Sequence, residues 1–315
     1  MNAAILARLR DARGGYVPLA DLGDVVERTV VDLDELTAFG FALERHPYLG
    51  VAYRGPAARL CPDQIEWQLG TRRIGRRVAV WDRVASTNDA AAAASRSRSN
   101  DGLVVLAEAQ TEGRGRRGRE WVAPAESSLL MSTLLFPSGA MAEPWWLMAL
   151  GAVAVAEVVS SVVGCEARIK WPNDVRIDGR KLAGVLVERG AGAVVGIGLN
   201  VNSTEDDFPE EWRAGATSLR VVGGQPLDRS ELARDLIRHL DDHYESARKD
   251  GPSRLATAWR ERLEPVGRDV ALATREGIVR GRLVEADLER GLRIIEPNGL
   301  ARTIEHAAIL ENEPA

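Results

Sequence analysis

The sequence predicts an α+β protein made of a small helical unit, a large mixed unit and a small β unit. Short helical patterns and one hairpin fill residues 1–60, whereas strands and helices alternate over residues 61–265. Short strands separated by turn residues fill residues 266–315. Because 315 residues are enough for two or three domains, we expect domain boundaries near residues 60 and 265.

The first unit has the pattern of a winged helix. Helical spacing of apolar residues predicts helices over 2–10, 19–26 and 30–39. Two short strands follow around His46-Pro47, and residues 56–62 read as a linker. Three helices followed by a two-stranded wing are the plan of that domain.

The central unit has the pattern of a mixed, mainly antiparallel sheet with packed helices. Residues 86–89, Ser-Thr-Asn-Asp, supply N-cap chemistry for an alanine-rich helix, and Asp178-Gly179 between apolar runs is a hairpin signal. Segment 144–163 is apolar almost all round, but its glutamate and serines favour a buried helix over a membrane span. The predicted strands are 78–84, 102–109, 127–136, 166–170, 174–177, 182–188 and 194–199, and amphipathic helices cover 229–248 and 252–262.

The last unit has the pattern of a small β-barrel, and the overall composition indicates where the protein is located. Strands at 269–273, 278–286, 291–296 and 300–304 suit a small β-barrel. The two cysteines lie far apart, which argues against a disulfide framework and a cysteine metal site, and the N-terminus lacks a signal-peptide pattern. We therefore expect a cytoplasmic protein without a membrane partner.

Residues 110–121, QTEGRGRRGREW, form the most informative loop, with four arginines and three glycines. The glycines spell GxGxxG, but Pro124 follows where the dinucleotide fingerprint requires a helix. An RNA-binding tract would be longer, and the chain has a net charge of −5. Arginine offers bidentate donors and glycine permits close approach, so the loop predicts a phosphate-bearing small ligand. Its glycines and like charges also predict a loop that is disordered until an anion binds.

A second polar segment, residues 170–174 (KWPND), joins two strands and leads into the hairpin that carries Lys181. Lys181 opens a strand whose following residues look buried, and a lysine at such a junction can present its ammonium to a carboxylate or phosphate. A structural role is the simpler interpretation for Trp171 and Pro172. His239 and His243 are four apart on a helix but have no evident third ligand, which favours a solvated helix face.

Four segments of the chain resemble, in their order, the motifs of bacterial biotin protein ligases. These segments are GRGRRGR with a following tryptophan, KWPND, RKLAG with a glutamate four residues on, and GIGLN. The resemblance spans nearly the whole chain and is strongest to the two-function kind with an N-terminal winged helix. Lipoate ligases share the fold with weaker motif agreement. The resemblance implies a central domain of the biotin/lipoate ligase type, related to class II aminoacyl-tRNA synthetases, and an SH3-like C-terminal barrel.

The resemblance also implies a reaction and a set of residues. Biotin and ATP, with Mg²⁺, would form biotinyl-5'-AMP, and a lysine of a biotin carboxyl carrier protein would take the biotinyl group. The residues matching the family's biotin contacts are Ser86, Thr87, Asn88, Gln110, Arg114, Gly115, Arg116 and Lys181, of which Lys181, Arg114 and Arg116 would be catalytic. The residues matching its nucleotide contacts are Arg119, Trp121, Lys170, Asn173 and Asn200, and Asp174 is the candidate for Mg²⁺.

One departure from the family concerns DNA. The stretch 29–36, where repressors need bases or amides, contains three acids and no base, and only Arg28 and Arg45 flank it. We therefore expect weak or absent repression of transcription.

Two alternative functions stay open, namely a biotin-sensing DNA-binding repressor without ligase activity and a lipoate ligase. The sequence allows either a monomer or a homodimer.

Overall fold

The computed structural model describes residues 1–274, 277–305 and 308–309, and its first part consists of three helices and a two-stranded antiparallel sheet. Ile5, Leu9, Leu33 and Leu36 are among the apolar side chains that form a separate small core there. The elements are α1 (Ala3–Asp11), α2 (Leu19–Leu22), α3 (Val26–Phe39), β1 (Ala42–His46) and β2 (Gly50–Gly55).

The second and third helices correct the sequence prediction. α2 ends at Leu22 instead of residue 26, and α3 begins at Val26 instead of residue 30. Gly23 is extended, and a Cβ there would lie 2.5 Å from Thr29 Oγ1, so the chain changes direction at this point. Apolar spacing misplaced the boundary because Val25 and Val26 are exposed and do not mark a buried face.

The central part is built on a seven-stranded mixed sheet. Its strand order is β3-β4-β5-β9-β8-β7-β6, in which only β3 and β4 are parallel. The strands are β3 (Val78–Val84), β4 (Val104–Gln110), β5 (Ser128–Leu135), β6 (Arg168–Lys170), β7 (Asp174–Ile177), β8 (Arg180–Arg189) and β9 (Ala193–Asn200). The helices are α4 (Pro62–Glu66), α5 (Thr87–Ala93), α6 (Pro144–Val163), α7 (Glu210–Arg213), α8 (Leu219–Gly223), α9 (Arg229–Asp250) and α10 (Ser253–Arg262). This arrangement confirms the predicted α+β class.

The apolar helix α6 is the centre of the main core. It is long and apolar enough to cross a membrane, yet two thirds of it is buried inside the protein, as the sequence led us to expect. Gly151 lets the helix approach the sheet closely, since a Cβ there would lie 2.8 Å from Val185 Cγ1. α6 therefore covers one face of β8 and β9 and leaves the other face for α5 and the polar loops.

The last part is a five-stranded antiparallel sheet in the order β13-β12-β11-β10-β14. Its strands are β10 (Asp269–Thr274), β11 (Gly277–Asp287), β12 (Gly291–Ile295), β13 (Ala301–Ile304) and β14 (Ala308–Ile309). The first four match the predicted strands, and β14 was not predicted. Residues 275–276, 306–307 and 310–315 of the predicted C-terminal unit lie outside the described residues.

Candidate functional site

A pocket of about 480 Å³ opens on the face of the central sheet opposite α6. Strands β8 and β9 form its floor, the start of α5 forms one wall, and the arginine-rich loop covers it. Ten of the fourteen sequence-predicted site residues line it: Ser86, Thr87, Asn88, Gln110, Arg114, Gly115, Arg116, Trp121, Asn173 and Lys181. Residues far apart in the chain thus meet at one site.

Glycines make the floor flat enough for side chains to lie on it. A Cβ at Gly196 would lie 2.2 Å from Asn88 Oδ1, and a Cβ at Gly198 would lie 2.5 Å from Trp121. On β8, a Cβ at Gly184 would lie 3.4 Å from both Lys181 and Trp121. Gly196 and Gly198 lie on the same face of β9, because alternate residues of a strand share one face. On that face Gly196 makes room for Asn88, and Gly198 makes room for Trp121.

One end of the pocket is polar and uncharged. Gln110 Oε1 accepts hydrogen bonds from the Thr87 backbone N–H at 2.7 Å and from the Thr87 hydroxyl at 3.0 Å. Asn88 Nδ2 donates to Glu188 at 2.7 Å. Ser86 is the N-cap residue of α5, but its side chain makes no capping hydrogen bond, which corrects the predicted N-cap role. Ser86 instead lines the pocket.

Cationic side chains line the rest of the pocket, and Arg114, which shares Glu188 with Asn88, is the most strongly paired of them. Arg114 binds both oxygens of Asp89, at 2.6 and 2.8 Å, and lies 3.4 Å from Glu188. This pairing lowers the pKa of the Asp89 carboxyl and raises that of the Arg114 guanidinium. Arg116 donates to Asn173 Oδ1 at 3.1 Å, which connects the loop to the KWPND segment.

Lys181 occupies the centre of the cationic end. Its Nζ lies 2.9 Å from Asp174 Oδ1 and 5.6 Å from the centre of the Trp121 ring. The neighbouring Asn173 amide donates to Asp174 at 3.2 Å and to the Val185 carbonyl at 3.0 Å, so the loop is held against β8. Ammonium, carboxylate and indole therefore share one short stretch of the pocket wall.

Four predicted site residues do not line this pocket. Asn200 is buried with its amide donating to the Thr217 carbonyl at 3.0 Å, and Arg119 lines an outer cleft above the loop. Asp174 lies behind two lining residues, Lys181 and Asn173, and contacts both. Lys170 is 7% exposed, and burial together with the nearby Arg176 guanidinium lowers the pKa of its ammonium to about 8.

Sequence reasoning missed the residues that hold these groups in place. Ser132 lies beneath Thr87 and Asn88, while Asp89 and Glu188 bind Arg114. Alternating glycines in the GIGLN strand were the available signal for a close approach at the floor. The carboxylates gave no comparable signal, because their partners are distant in sequence.

The described residues include no group of three or more His, Cys, Asp and Glu side chains placed to hold a metal ion. His243 is buried and lies 2.7 Å from Glu157, so the expectation of a solvated helix face was wrong for that residue. Burial alone would raise the pKa of the Glu157 carboxyl, but His243 and Arg262 lower it overall. The contact with Glu157 also explains a histidine on the inward face of α9.

Comparisons with known proteins define the class of this site. Residues 80–202 match the Biotin/lipoate A/B protein ligase family, and this range contains every residue that lines the pocket. A biotin–[acetyl-CoA-carboxylase] ligase of Mycobacterium tuberculosis is 36% identical over 220 residues, which cover 66% of this chain and 81% of that protein. The chain therefore belongs to the biotin protein ligase family.

Two further relatives cover more of the chain. The bifunctional ligase/repressor BirA of Bacillus subtilis is 28% identical over 84% of this chain and 83% of its own length. The biotin protein ligase from Aquifex aeolicus in complex with biotin and ATP superposes with a TM-score of 0.65 at 26% identity, over 75% of this chain and 98% of that structure.

Proposed function

We infer that this protein is an ATP-dependent biotin protein ligase that forms biotinyl-5'-AMP and transfers biotin to a lysine of a carboxylase's biotin carboxyl carrier protein. The observation that carries the inference is a single pocket with an uncharged amide and hydroxyl end beside a cationic end. A cyclic urea needs neutral hydrogen-bonding groups, whereas a carboxylate and a phosphate need cations.

In the first step a biotin carboxylate oxygen attacks the α-phosphorus of ATP, and the bond to the departing pyrophosphate breaks. Both reactants are anions, so the protein must hold them together against their repulsion. We propose that Lys181 lies between carboxylate and α-phosphate, and that Arg114 and Arg116 bind the same anions from the loop. Gly115 permits the loop backbone to approach the ligand.

The nucleotide would extend from Lys181 along the KWPND segment. We propose that Trp121 stacks on adenine and that Asn173, Lys170, Asn200 and Arg119 act from around the nucleotide, three of them from outside the pocket lining. Mg²⁺ would enter with ATP, since Mg²⁺ typically uses one or two carboxylates together with substrate phosphates. Asp174 fits that demand, provided that the Lys181 ammonium turns from the carboxylate to the phosphate.

In the second step the amine of the carrier lysine attacks the acyl carbon of the adenylate, AMP leaves, and the amine loses a proton. We propose that the carrier docks at a cleft of about 940 Å³ between the central sheet and the C-terminal part. Arg116 lines both this cleft and the adenylate pocket, so a lysine entering here would reach the reacting carbon. Trp145, Met148, Trp171, Leu186, Leu288 and Glu289 are among the lining residues.

We further propose three domains: a winged helix over 1–60, a catalytic domain over 61–265 and an SH3-like domain over 266–315. The winged helix would not repress transcription tightly, although related proteins carry the name ligase/repressor. Its flanking arginines are already engaged, Arg28 with Asp32 at 3.3 Å and Arg45 with Asp34 at 2.6 Å. Tight, salt-sensitive binding to an operator would contradict this proposal.

Pyrophosphate release tests the proposed function. The protein is incubated with ATP and either biotin or lipoate, and release with biotin alone is the expected result. Release with lipoate alone would identify a lipoate ligase, and release with neither acid would favour a biotin-sensing regulator.

The two cysteines are free, Cys61 buried and Cys165 exposed. Free cysteines are typical of a reducing compartment, so we propose a cytoplasmic location, where ATP is also available.

A further inference from the structure

Ser132 is a fully buried serine on β5 directly beneath the start of α5. Its hydroxyl lies 2.6 Å from Asn88 Oδ1 and 2.8 Å from Thr87 Oγ1, although Ser132 does not line the pocket itself. A hydroxyl has one proton to donate, so the direction of this network decides what the pocket offers a ligand.

Glu188 fixes one end of the network. An ionised carboxylate only accepts, so the group of Asn88 that lies 2.7 Å from Glu188 must be its amide nitrogen. Asn88 Oδ1 then faces Ser132, and the Ser132 hydroxyl donates to it. The Asn88 amide is therefore held at both ends, by an acceptor at the rim and by a donor from beneath.

The Thr87 backbone fixes the other end, because a backbone N–H only donates. Gln110 must turn its Oε1 towards that N–H at 2.7 Å, and the Thr87 hydroxyl donates to the same oxygen at 3.0 Å. Among the described residues, the Gln110 Nε2 group and the second hydrogen of Asn88 Nδ2 have no hydrogen-bond partner. Both belong to residues that line the pocket.

We propose that Ser132 is a positioning residue of the biotin site, which holds the Asn88 amide so that the pocket presents N–H donors to the urea oxygen of the ligand. The proposal rests on the biotin site inferred above and adds a basis for selectivity. A cyclic guanidine, which is protonated at neutral pH, has only N–H donors in place of the urea oxygen and so brings donors against these donors. The network beneath the pocket thus selects a carbonyl over an imine.

The test compares Ser132→Ala with Thr133→Val. Thr133 is the next residue on the same strand, is equally buried, and has a hydroxyl with no partner among the described residues. Biotin, ATP and 2-iminobiotin are titrated in the pyrophosphate-release assay. Ser132→Ala should raise KM for biotin about tenfold, since it leaves a buried acceptor without its donor. KM for ATP should stay unchanged, and the preference for biotin over 2-iminobiotin should fall, since the Asn88 amide is then held only by Glu188.

Thr133→Val should change neither KM nor the preference. An equal effect of the two variants would overturn the role of Ser132 while leaving the ligase intact. Absence of biotin-dependent pyrophosphate release by the unmodified protein would instead overturn both proposals. If Ser132→Ala folds poorly, Glu188→Gln acts on the same amide from the rim, because glutamine can donate where glutamate only accepts. An unchanged preference in Glu188→Gln would then refute the proposal.

Discussion

The two ends of the pocket are held together in different ways. At the uncharged end, hydrogen bonds join Thr87 to Gln110 and Ser132 to Asn88, and Glu188 accepts from the Asn88 amide. Among the positive groups, Arg114 binds Asp89 and Glu188, Lys181 binds Asp174, and Arg116 donates to the Asn173 amide oxygen. The uncharged end is therefore already arranged for its ligand, whereas the cationic end must exchange protein carboxylates for substrate anions. We expect changes at the uncharged end to affect biotin binding and changes at the cationic end to affect nucleotide binding and the rate of adenylate formation.

The largest effect is expected for Lys181→Gln. Loss of the ammonium removes the charge that offsets repulsion between carboxylate and α-phosphate, so the rate of adenylate formation should fall about 100- to 1,000-fold. KM for biotin should change little, because the uncharged end remains intact. Single-turnover pyrophosphate release measures both quantities. Lys249→Gln, an exposed lysine near the end of α9, is the matched control. A selective rise in KM with an unchanged rate would assign Lys181 to binding alone.

A pH effect on stability is expected from Lys170, the buried lysine behind the cationic end. Burial lowers its pKa from 10.5 to about 8. Between these values the unfolded chain binds more protons than the folded protein, so the free energy of unfolding should rise with pH. Lys170→Met should remove this rise, which amounts to at most about 3 kcal/mol. Denaturant titrations from pH 7 to pH 11 measure the difference between the two proteins. A difference that stays constant with pH would contradict the assignment.

Substitution of two glycines on β9 should perturb the two ends of the pocket independently. Gly196→Ala would push a Cβ into Asn88 and should raise KM for biotin, whereas Gly198→Ala would displace Trp121 and should raise KM for ATP. Overpacking of this kind corresponds to changes of about 5- to 100-fold. Gly190→Ala, in the β8–β9 turn with nothing within 4 Å, is the control and should leave both constants unchanged. The comparison of the two ends fails if both floor variants raise the same KM.

The sequence predicts the fold class and most of the pocket because those depend on local patterns and contiguous motifs. The strands of the central sheet follow β-branched runs and a strong hairpin turn, and α6 follows from an apolar segment of suitable length. The arginine loop and KWPND carry the charged groups in short stretches that can be recognised one at a time. Ten of the fourteen predicted residues consequently line the same cavity.

The remaining features depend on pairs that are distant in sequence. Ser132 and Asn88 are 44 residues apart, and Asn88 and Glu188 are 100 residues apart, so no local pattern connects them. The same limit explains His243, whose partner Glu157 lies on another helix. Asn200 was predicted as a nucleotide contact from its motif alone, but its amide donates to the Thr217 carbonyl in a loop that the sequence did not predict. Tertiary contacts decide these positions.

The smallest effect is expected for Asp89→Asn, and it bears on the loop that covers the pocket. Asp89 binds Arg114 through both oxygens, but the side chains are 53% and 37% exposed, so the pair contributes less than about 1 kcal/mol. Without it the glycine-rich loop should open more often when no ligand is present, and trypsin should cut within residues 114–119 a few-fold faster. Biotin and ATP should abolish the difference, because the adenylate then binds Arg114 in place of Asp89. Asp82→Asn, an exposed aspartate on β3, controls for charge. Equal cleavage of Asp89→Asn and the unmodified protein would show that the loop is held closed by other contacts.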